Sequence, residues 1–433
     1  MYDLYFLIYG YLKIGYSYYH VYWVIFYFKQ VLFMFTHSRL LGIVGALILS
    51  YAAWTAYGYF LDTSAPVVTI TGIEPDEYYA GDVPCIVDMS DGYKVADLSV
   101  FLDGNALVSH FKVNRKHDEH VFTIPTKTLT NGPHDLKITV RDGSYRKNST
   151  TESFSFIVDN RPLLATFVKS ETDIKVFQGR TLHVQFQVNK PIQEATVRAL
   201  SRTFTCIPEA EGSLIYECFI PISTQEIASE YVLSIDITDF VGNTATLDAK
   251  FQIVMYPFKK QIITIAPDKL QEAKDTGLPE GDLETALKEL TAQSPTKKLW
   301  HGSFYAPIEI KSVSTDFGTI RTTQHRGKYA HDAVDLIGTP KTVVWAPQDG
   351  KIVLKERYAH SGNTVVIDHG CGILSLFYHL DSFGRSNVGD IIRKGNPIGT
   401  LGKTGHATGY HLHWEMRINN VAIDPLQWIK NDF

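Results

Sequence analysis

The chain has 433 residues, with 41 lysines and arginines against 46 aspartates and glutamates, a formal net charge of −5 and 45% hydrophobic residues. That length exceeds what one core normally serves and predicts several domains. The balance of charge is slightly acidic, so no basic field for a nucleic-acid partner is present.

Residues 1–33 are crowded with tyrosine and phenylalanine and carry Lys13 and Lys29. Two readings fit them: a second or interfacial membrane segment, or residues lying before a natural start at Met34. From Leu40 to Leu61 no charged residue occurs. A bilayer-spanning helix takes about 20 apolar residues, so 40–61 is expected to be a transmembrane anchor. Lys29 and Arg39 precede it and Asp62 follows. The positive-inside bias then puts everything after Asp62 outside the cytoplasm. A cleaved signal peptide is the competing reading, but the run is long for one.

Beyond the membrane the pattern changes to short alternating strands, such as Val67–Thr71, Leu98–Leu102, Leu136–Val140 and Phe154–Val158. Asp103-Gly104, Asn131-Gly132-Pro133 and Asp142-Gly143 supply the turns. The pattern recurs: Ile138–Asp142 has a counterpart in Ile235–Asp239, and Phe154–Val158 in Phe251–Val254. A period of about 100 residues, all β, predicts two tandem β-sandwiches over 62–160 and 161–256. They resemble, loosely, the immunoglobulin-like modules of exported bacterial proteins. Neither carries an acid/base cluster, and both read as spacer or interaction modules. Asn148-Ser149-Thr150 matches a glycosylation triplet, which is frequent by chance.

Four cysteines occur, Cys85, Cys206, Cys218 and Cys371, and none forms a C-x-x-C pair, which argues against a thiolate zinc site. Cys206 and Cys218 flank what reads as a hairpin tip. Outside the cytoplasm they can close a cross-strand disulfide; the alternative is two buried thiols. Residues 257–299 read as a helical connector, with helix-like stretches at Pro267–Lys274 and Asp282–Leu290 and Asp282 as a cap. These short polar helices suggest a neck between domains rather than a site.

Residues 300–433 are β-rich and dense in glycine. His331 and Asp335, four apart in an expected strand His331–Leu336, would share one face, as would His411 and His413. Tyr378-His379-Leu380 ends an apolar run. Four histidines and a carboxylate thus fall on β segments of one domain. Zinc takes histidine nitrogen and carboxylate oxygen, and a catalytic site needs three protein ligands and an open position. Spacing alone leaves open which groups ligate and which assist.

The ordered motifs His331-x-x-x-Asp335, Gly338-Thr339-Pro340, Tyr378-His379-Leu380 and His411-Leu412-His413-Trp414-Glu415 make this region similar to the LytM/lysostaphin-type metallopeptidases of peptidase family M23. The glycine pattern of Asp368-His369-Gly370, Gly389–Gly399 and Gly402–Gly405, the final Asp424-Pro425, and the lead-ins Trp300–Phe304 and Phe317-Gly318 match as well. The resemblance covers the last third of the chain. It implies a barrel-sandwich-like peptidase domain. It further implies that His331, Asp335 and His413 bind Zn2+ and that His379 and His411 are the catalytic acid/base groups. Ala333 departs from the family's usual glycine, and Tyr329 is a candidate for the oxyanion. His325, His360, His369 and His406 read as loop or surface histidines, and Cys371 as a turn or buried thiol. A likeness of Gly389–Gly399 to a lipoyl-carrier hairpin lacks the carrier's lysine.

The expected protein is mainly β: an anchor, two immunoglobulin-like sandwiches, a helical connector and a zinc endopeptidase acting on peptidoglycan cross-link peptides outside the membrane. Two alternatives stand beside it, a non-catalytic activator of other wall hydrolases and an envelope scaffold.

Overall fold

A computed structural model describes residues 18–169, 174–263, 277–323 and 327–430. Residues 1–17, the expected helix Pro267–Lys274 and His325 lie outside them. The protein is mostly β and divides into two compact units, Met1–Arg161 and Pro162–Phe433.

The first unit begins with one long helix, α1 (Tyr18–Leu61), of 44 residues. Its segment Leu41–Leu61 is long and apolar enough to cross a membrane. The helix runs through Met34 without a break. No proline interrupts the chain between Tyr18 and Leu61, so residues 18–33 are helical in continuity with the apolar segment.

Six strands follow: β1 (Val67–Thr71), β2 (Tyr78–Tyr79), β3 (Val83–Leu102), β4 (Asn105–Ile124), β5 (Gly132–Asp142) and β6 (Ser149–Val158). They form one sheet in the order β1-β3-β5-β6-β2, with β4 paired to β3. Alternate residues of β5 (His134, Leu136, Ile138, Val140 and Asp142) are buried, as period two requires. The register of β3 breaks between Ser90 and Val95, so its first half pairs with β1 and its second with β5. Both halves reach one core around Val87, Leu98, Ile138 and Phe156.

The second unit opens with two sheets. β11 (Arg202–Thr205), β10 (Ile192–Ala199), β14 (Glu230–Asp239), β15 (Thr244–Val254) and β8 (Ile174–Phe177) make one. β12 (Ile207–Pro208), β13 (Ile215–Pro221), β9 (Thr181–Val188) and β7 (Ala165–Phe167) make the other. Their inner faces share a core containing Phe186, Val197, Ile220, Ile235 and Phe251. Cys206 and Cys218 sit one step beyond the Ile207–Glu217 pair of the β12–β13 hairpin. Both are buried free thiols, hydrogen-bonded to one another, and that bond together with burial pushes the Cys218 thiol well up. The structure thus holds two buried thiols where a disulfide was one of two expectations.

These sheets are not an isolated spacer. Ile207 and Phe219 belong to the core of the C-terminal region, with the Phe219 ring 5.8 Å from Trp300 and 5.4 Å from Trp428. Buried Glu217 accepts from Lys298 at 2.7 Å and pairs with His183 at 2.9 Å.

In the C-terminal region an eight-stranded sheet runs β17 (Ser312–Thr315), β20 (Val334–Ile337), β28 (Leu412–Ile418), β24 (Ile373–Leu380), β23 (Gly362–Asp368), β22 (Gly350–Tyr358) and β26 (Ile391–Ile392), with β29 (Val421–Ile423) on β28. A smaller sheet of β21 (Val343–Trp345), β27 (Pro397–Thr400) and β25 (Ser382–Phe383) shares its core. A third combines β16 (Lys260–Ile263), β18 (Ile320–Thr323) and β19 (Gly327–Ala330). The chain ends in α3 (Pro425–Lys430).

The connector departs from expectation. Its described helix, α2 (Glu280–Gln293), starts two residues before Asp282, which sits in the first turn rather than at the cap. There its charge suits the positive helix end. Leu283 and Leu287 are buried against Leu354, Val366, Leu374 and Tyr378. Each such burial contributes about 1.5–3 kcal/mol, so α2 is packed on the sheet and is no free neck.

Candidate active site

Asp335 lies on β20 and His413 directly opposite it on β28. Opposed residues of an antiparallel pair project from the same face, which brings Asp335 Oδ1 to 3.0 Å from His413 Nδ1. His331 arrives differently from the expected strand. β20 begins only at Val334, so His331 stands in the preceding loop. Its backbone N–H and C=O are taken by Thr319 O and Gly318 N. From there Nε2 reaches 3.1 Å from Asp335 Oδ1 and 3.1 Å from His413 Nδ1. Three donor atoms thus sit on a triangle with edges of 3.0–3.1 Å.

The outer atoms of these three side chains face partners of their own. His331 Nδ1 donates to the Asp316 carbonyl at 3.4 Å, which leaves Nε2 with its lone pair. Arg321, from β18, donates to Asp335 Oδ2 and leaves Oδ1 to the triangle. His413 Nε2 faces Glu415 Oε2 at 3.9 Å, and Arg417 Nε donates to the other oxygen of that carboxylate. The Tyr378 ring stacks on His413 at 4.8 Å and 8°.

His379 and His411 flank the triangle, their ring centroids 4.9 Å apart. His379 Nδ1 donates to Thr404 O at 2.8 Å and His411 Nδ1 to Gly409 O at 2.9 Å. A carbonyl only accepts, so both rings turn a lone-pair-bearing Nε2 to the site. His411 precedes β28 by one residue, yet its Nε2 still comes within 3.7 Å of Asp335 Oδ1. His379 has φ 62°, a left-handed conformation that is costly for a residue with a Cβ, held by its N–H bond to Ser361 O at 2.8 Å.

Burial holds the His331 imidazole down at about 4 and pushes His379 well below its usual range, the neighbouring histidines adding to the latter effect. Burial also lowers His411. In His413 burial is outweighed by Asp335 and Glu415, which raise it to about 9. Burial works against the Glu415 charge, but Arg417 and His413 hold the carboxyl down at about 2.

These groups line a groove of about 980 Å³. Tyr329 lines it too, whereas Ala333 is fully buried and does not. His360 and His406, read from the sequence as surface residues, stack at 4.1 Å on its wall. His369 is not at the surface. It is fully buried, bonded to Asp349 O at 2.7 Å and Ser375 Oγ at 2.9 Å, and serves the core. Sequence reasoning missed Arg321, Arg417, Glu280 and Glu284; the last two line the groove from α2. Only the proximity of Glu415-x-Arg417 to the H-x-H pair hinted at any of them.

A triangle of two imidazoles and a carboxylate, with two more imidazoles beside it, is a donor set that could hold a metal ion. Residues 329–425 match the model of peptidase family M23. The chain is 35% identical over 121 residues to the DD-carboxypeptidase/endopeptidase Mpg of Neisseria meningitidis, covering 28% of this chain and 27% of that one. It is 31% identical over 121 residues to the peptidoglycan DD-endopeptidase ShyC of Vibrio cholerae, covering 28% of each. The match thus takes in little more than a quarter of the length of these relatives. Among solved structures, the catalytic domain of lysostaphin from Staphylococcus simulans aligns at 26% identity and a TM-score of 0.22, covering 33% of this chain and 97% of that one.

Proposed function

We propose that the protein is a zinc-dependent endopeptidase that hydrolyses peptide cross-links of bacterial peptidoglycan. The observation that carries this reading is the His331–Asp335–His413 triangle with His379 and His411 beside it. The donor set fits zinc. Three lone pairs converge at 3.0–3.1 Å spacing, which bonds of about 2.0–2.2 Å can cap, and every outer atom has its own partner. When bound, zinc lowers the pKa of a water towards neutrality and polarises a carbonyl.

The chain's own residues supply the rest. The unprotonated Nε2 of His379 or His411 accepts the proton of the attacking water and returns it to the leaving amine. The other imidazole holds the oxygen on which charge develops. Tyr329, on the groove wall, is within the same lining and offers a second donor for that oxygen. All five groups are present, which favours catalysis over the activator role.

The segment Leu41–Leu61 supports a membrane anchor, with Lys29 and Arg39 on the cytoplasmic side and the peptidase on the periplasmic or cell-wall side. The sandwich of residues 62–160 then serves as an immunoglobulin-like spacer, with 161–256 carrying the peptidase.

Zinc content and release of soluble muropeptides by the full chain in detergent, beside His331→Ala, test the proposal. One zinc per chain and release by the wild type alone is the expected result. A wild type that binds no zinc and releases nothing would overturn it.

A further inference from the structure

Helix α2 touches the site at two points that neither motif nor zinc ligation requires. At its first turn, Glu280 Oε2 accepts from the backbone N–H of His360 at 3.0 Å and of Ser361 at 3.3 Å, while Oε1 accepts from Ser361 Oγ. The carbonyl of that same Ser361 accepts from His379 N–H at 2.8 Å. Glu280 thus fixes Ser361, the residue whose carbonyl holds His379 in its left-handed conformation. One turn on, Glu284 grips Arg417 with two bonds of 2.9 Å. Arg417 in turn donates to Glu415, whose other oxygen faces His413 Nε2. Two residues before the helix, Leu278 is tied as well. Leu278 N donates to Arg357 O at 2.9 Å and Leu278 O accepts from Ala359 N at 2.8 Å.

We infer that α2 is a positioning element of the peptidase site, Glu280 setting His379 through Ser361 and Glu284 setting His413 through Arg417 and Glu415. The inference rests on the zinc-peptidase reading above. It moves the start of the working catalytic unit from Trp300 back to about Leu278. The physical case is strongest at Arg417. Its guanidinium is 8% exposed and carries bonds to Glu415, Glu284 and Asn420. A bidentate carboxylate fixes the plane of a guanidinium, and that plane sets where Glu415 stands. Outer partners of a metal-bound histidine orient its ring, and their loss typically weakens metal binding 10–100-fold. Glu284 acts two links beyond Glu415, through Arg417, so the lower end applies. Glu280 does not touch the ligand triangle. Its loss should displace His379 and lower turnover with zinc retained, since a misplacement of about 1 Å costs up to about 100-fold.

The test uses the full chain in detergent with Glu284→Ala, Glu284→Gln, Glu280→Ala, Glu280→Gln and, as a control, Glu289→Ala on the exposed side of the same helix. Zinc affinity is read by competition with a chromophoric chelator, and kcat and KM on a soluble cross-linked muropeptide. Glu284→Ala is expected to weaken zinc binding about tenfold, with Glu284→Gln between it and the wild type. Glu280→Ala is expected to lower kcat with KM and zinc affinity unchanged, and Glu280→Gln to recover part of the loss. Glu289→Ala should match the wild type throughout. The Gln variants keep the side-chain shape, so they report even where an Ala variant unfolds. Glu284 and Glu280 variants that bind zinc and turn over like the wild type would overturn the inference and leave the enzyme standing. A wild type without zinc or activity would remove the enzyme reading, and the inference with it.

Discussion

His379 hangs by its backbone N–H from Ser361 O at 2.8 Å and by its ring Nδ1 from Thr404 O at 2.8 Å. Two carbonyls from different loops thereby fix both the position of the ring and the nitrogen it turns to the groove. A ring held this way is already set for proton transfer, and its removal should affect chemistry more than binding. His379→Ala is expected to lower kcat by about 10²–10⁴-fold while zinc content stays at the wild-type level. Single-turnover hydrolysis of a cross-linked muropeptide with parallel metal analysis checks this.

The three ligands behave otherwise. Asp335 Oδ1 is the atom shared by His331 and His413, so Asp335→Asn replaces the central negative charge of the triangle with a neutral amide. The variant should lose zinc on dialysis and lose activity with it, and added zinc should not restore either. For the wild type, a chelator should abolish activity and stoichiometric zinc should restore it.

Lys190 and Asp239 form an ion pair in the second sandwich, at 0% and 1% exposure. Removing one partner strands the other charge, at a cost of about 3–5 kcal/mol. Lys190→Met should therefore lower the thermal midpoint, by about 2–4 °C per kcal/mol for a unit of this size. The pH dependence has a definite sign. Burial works against the Asp239 charge, but Lys190 and Asn243 hold its carboxyl below the usual value. Its contribution is complete above the unfolded carboxylate pKa and is lost as pH falls through the lower folded one. Wild-type melting should thus deteriorate in acid, and the drop between neutral and strongly acidic pH should be smaller in Lys190→Met.

Burial pushes the Cys85 thiol up to about 11 and Cys371 to about 12, and Cys218 is also raised. Thiolate is the reactive form, so the native protein should take up almost no iodoacetamide at pH 8. Denatured without reductant, it should take up four equivalents by intact mass, matching its four free thiols. Two equivalents would mean that Cys206 and Cys218 had oxidised to a bridge.

Much of the site was legible in the sequence because its residues lie on or next to strands. Period-two alternation marks which residues share a face, and that reading brings His411 and His413 to one groove, although His411 stands one residue before β28. It fails for His331, which reaches Asp335 from a loop, because a spacing of four does not distinguish a strand from a turn. It also fails for His369. A histidine beside a glycine looks like a surface turn, but here Asp349 and Ser375 satisfy both ring nitrogens inside the core.

By itself, then, the sequence determined the apolar stretch, the β character, the resemblance of the last third to family M23 and the five residues that meet in its groove. These depend on local composition, on alternation and on motifs that need no partner to be seen. Only the tertiary structure decided what surrounds them. The bonds from Arg321 to Asp335, from Glu284 to Arg417 and from Glu280 to Ser361 join residues 14, 133 and 81 positions apart. No periodicity spans such distances. The pairs exist because α2 buries Leu283 and Leu287 on the groove face of the sheet, beside Tyr378, and because β18 lies beside β19 at the groove. Packing of apolar faces chose the neighbours, and the charges then found each other.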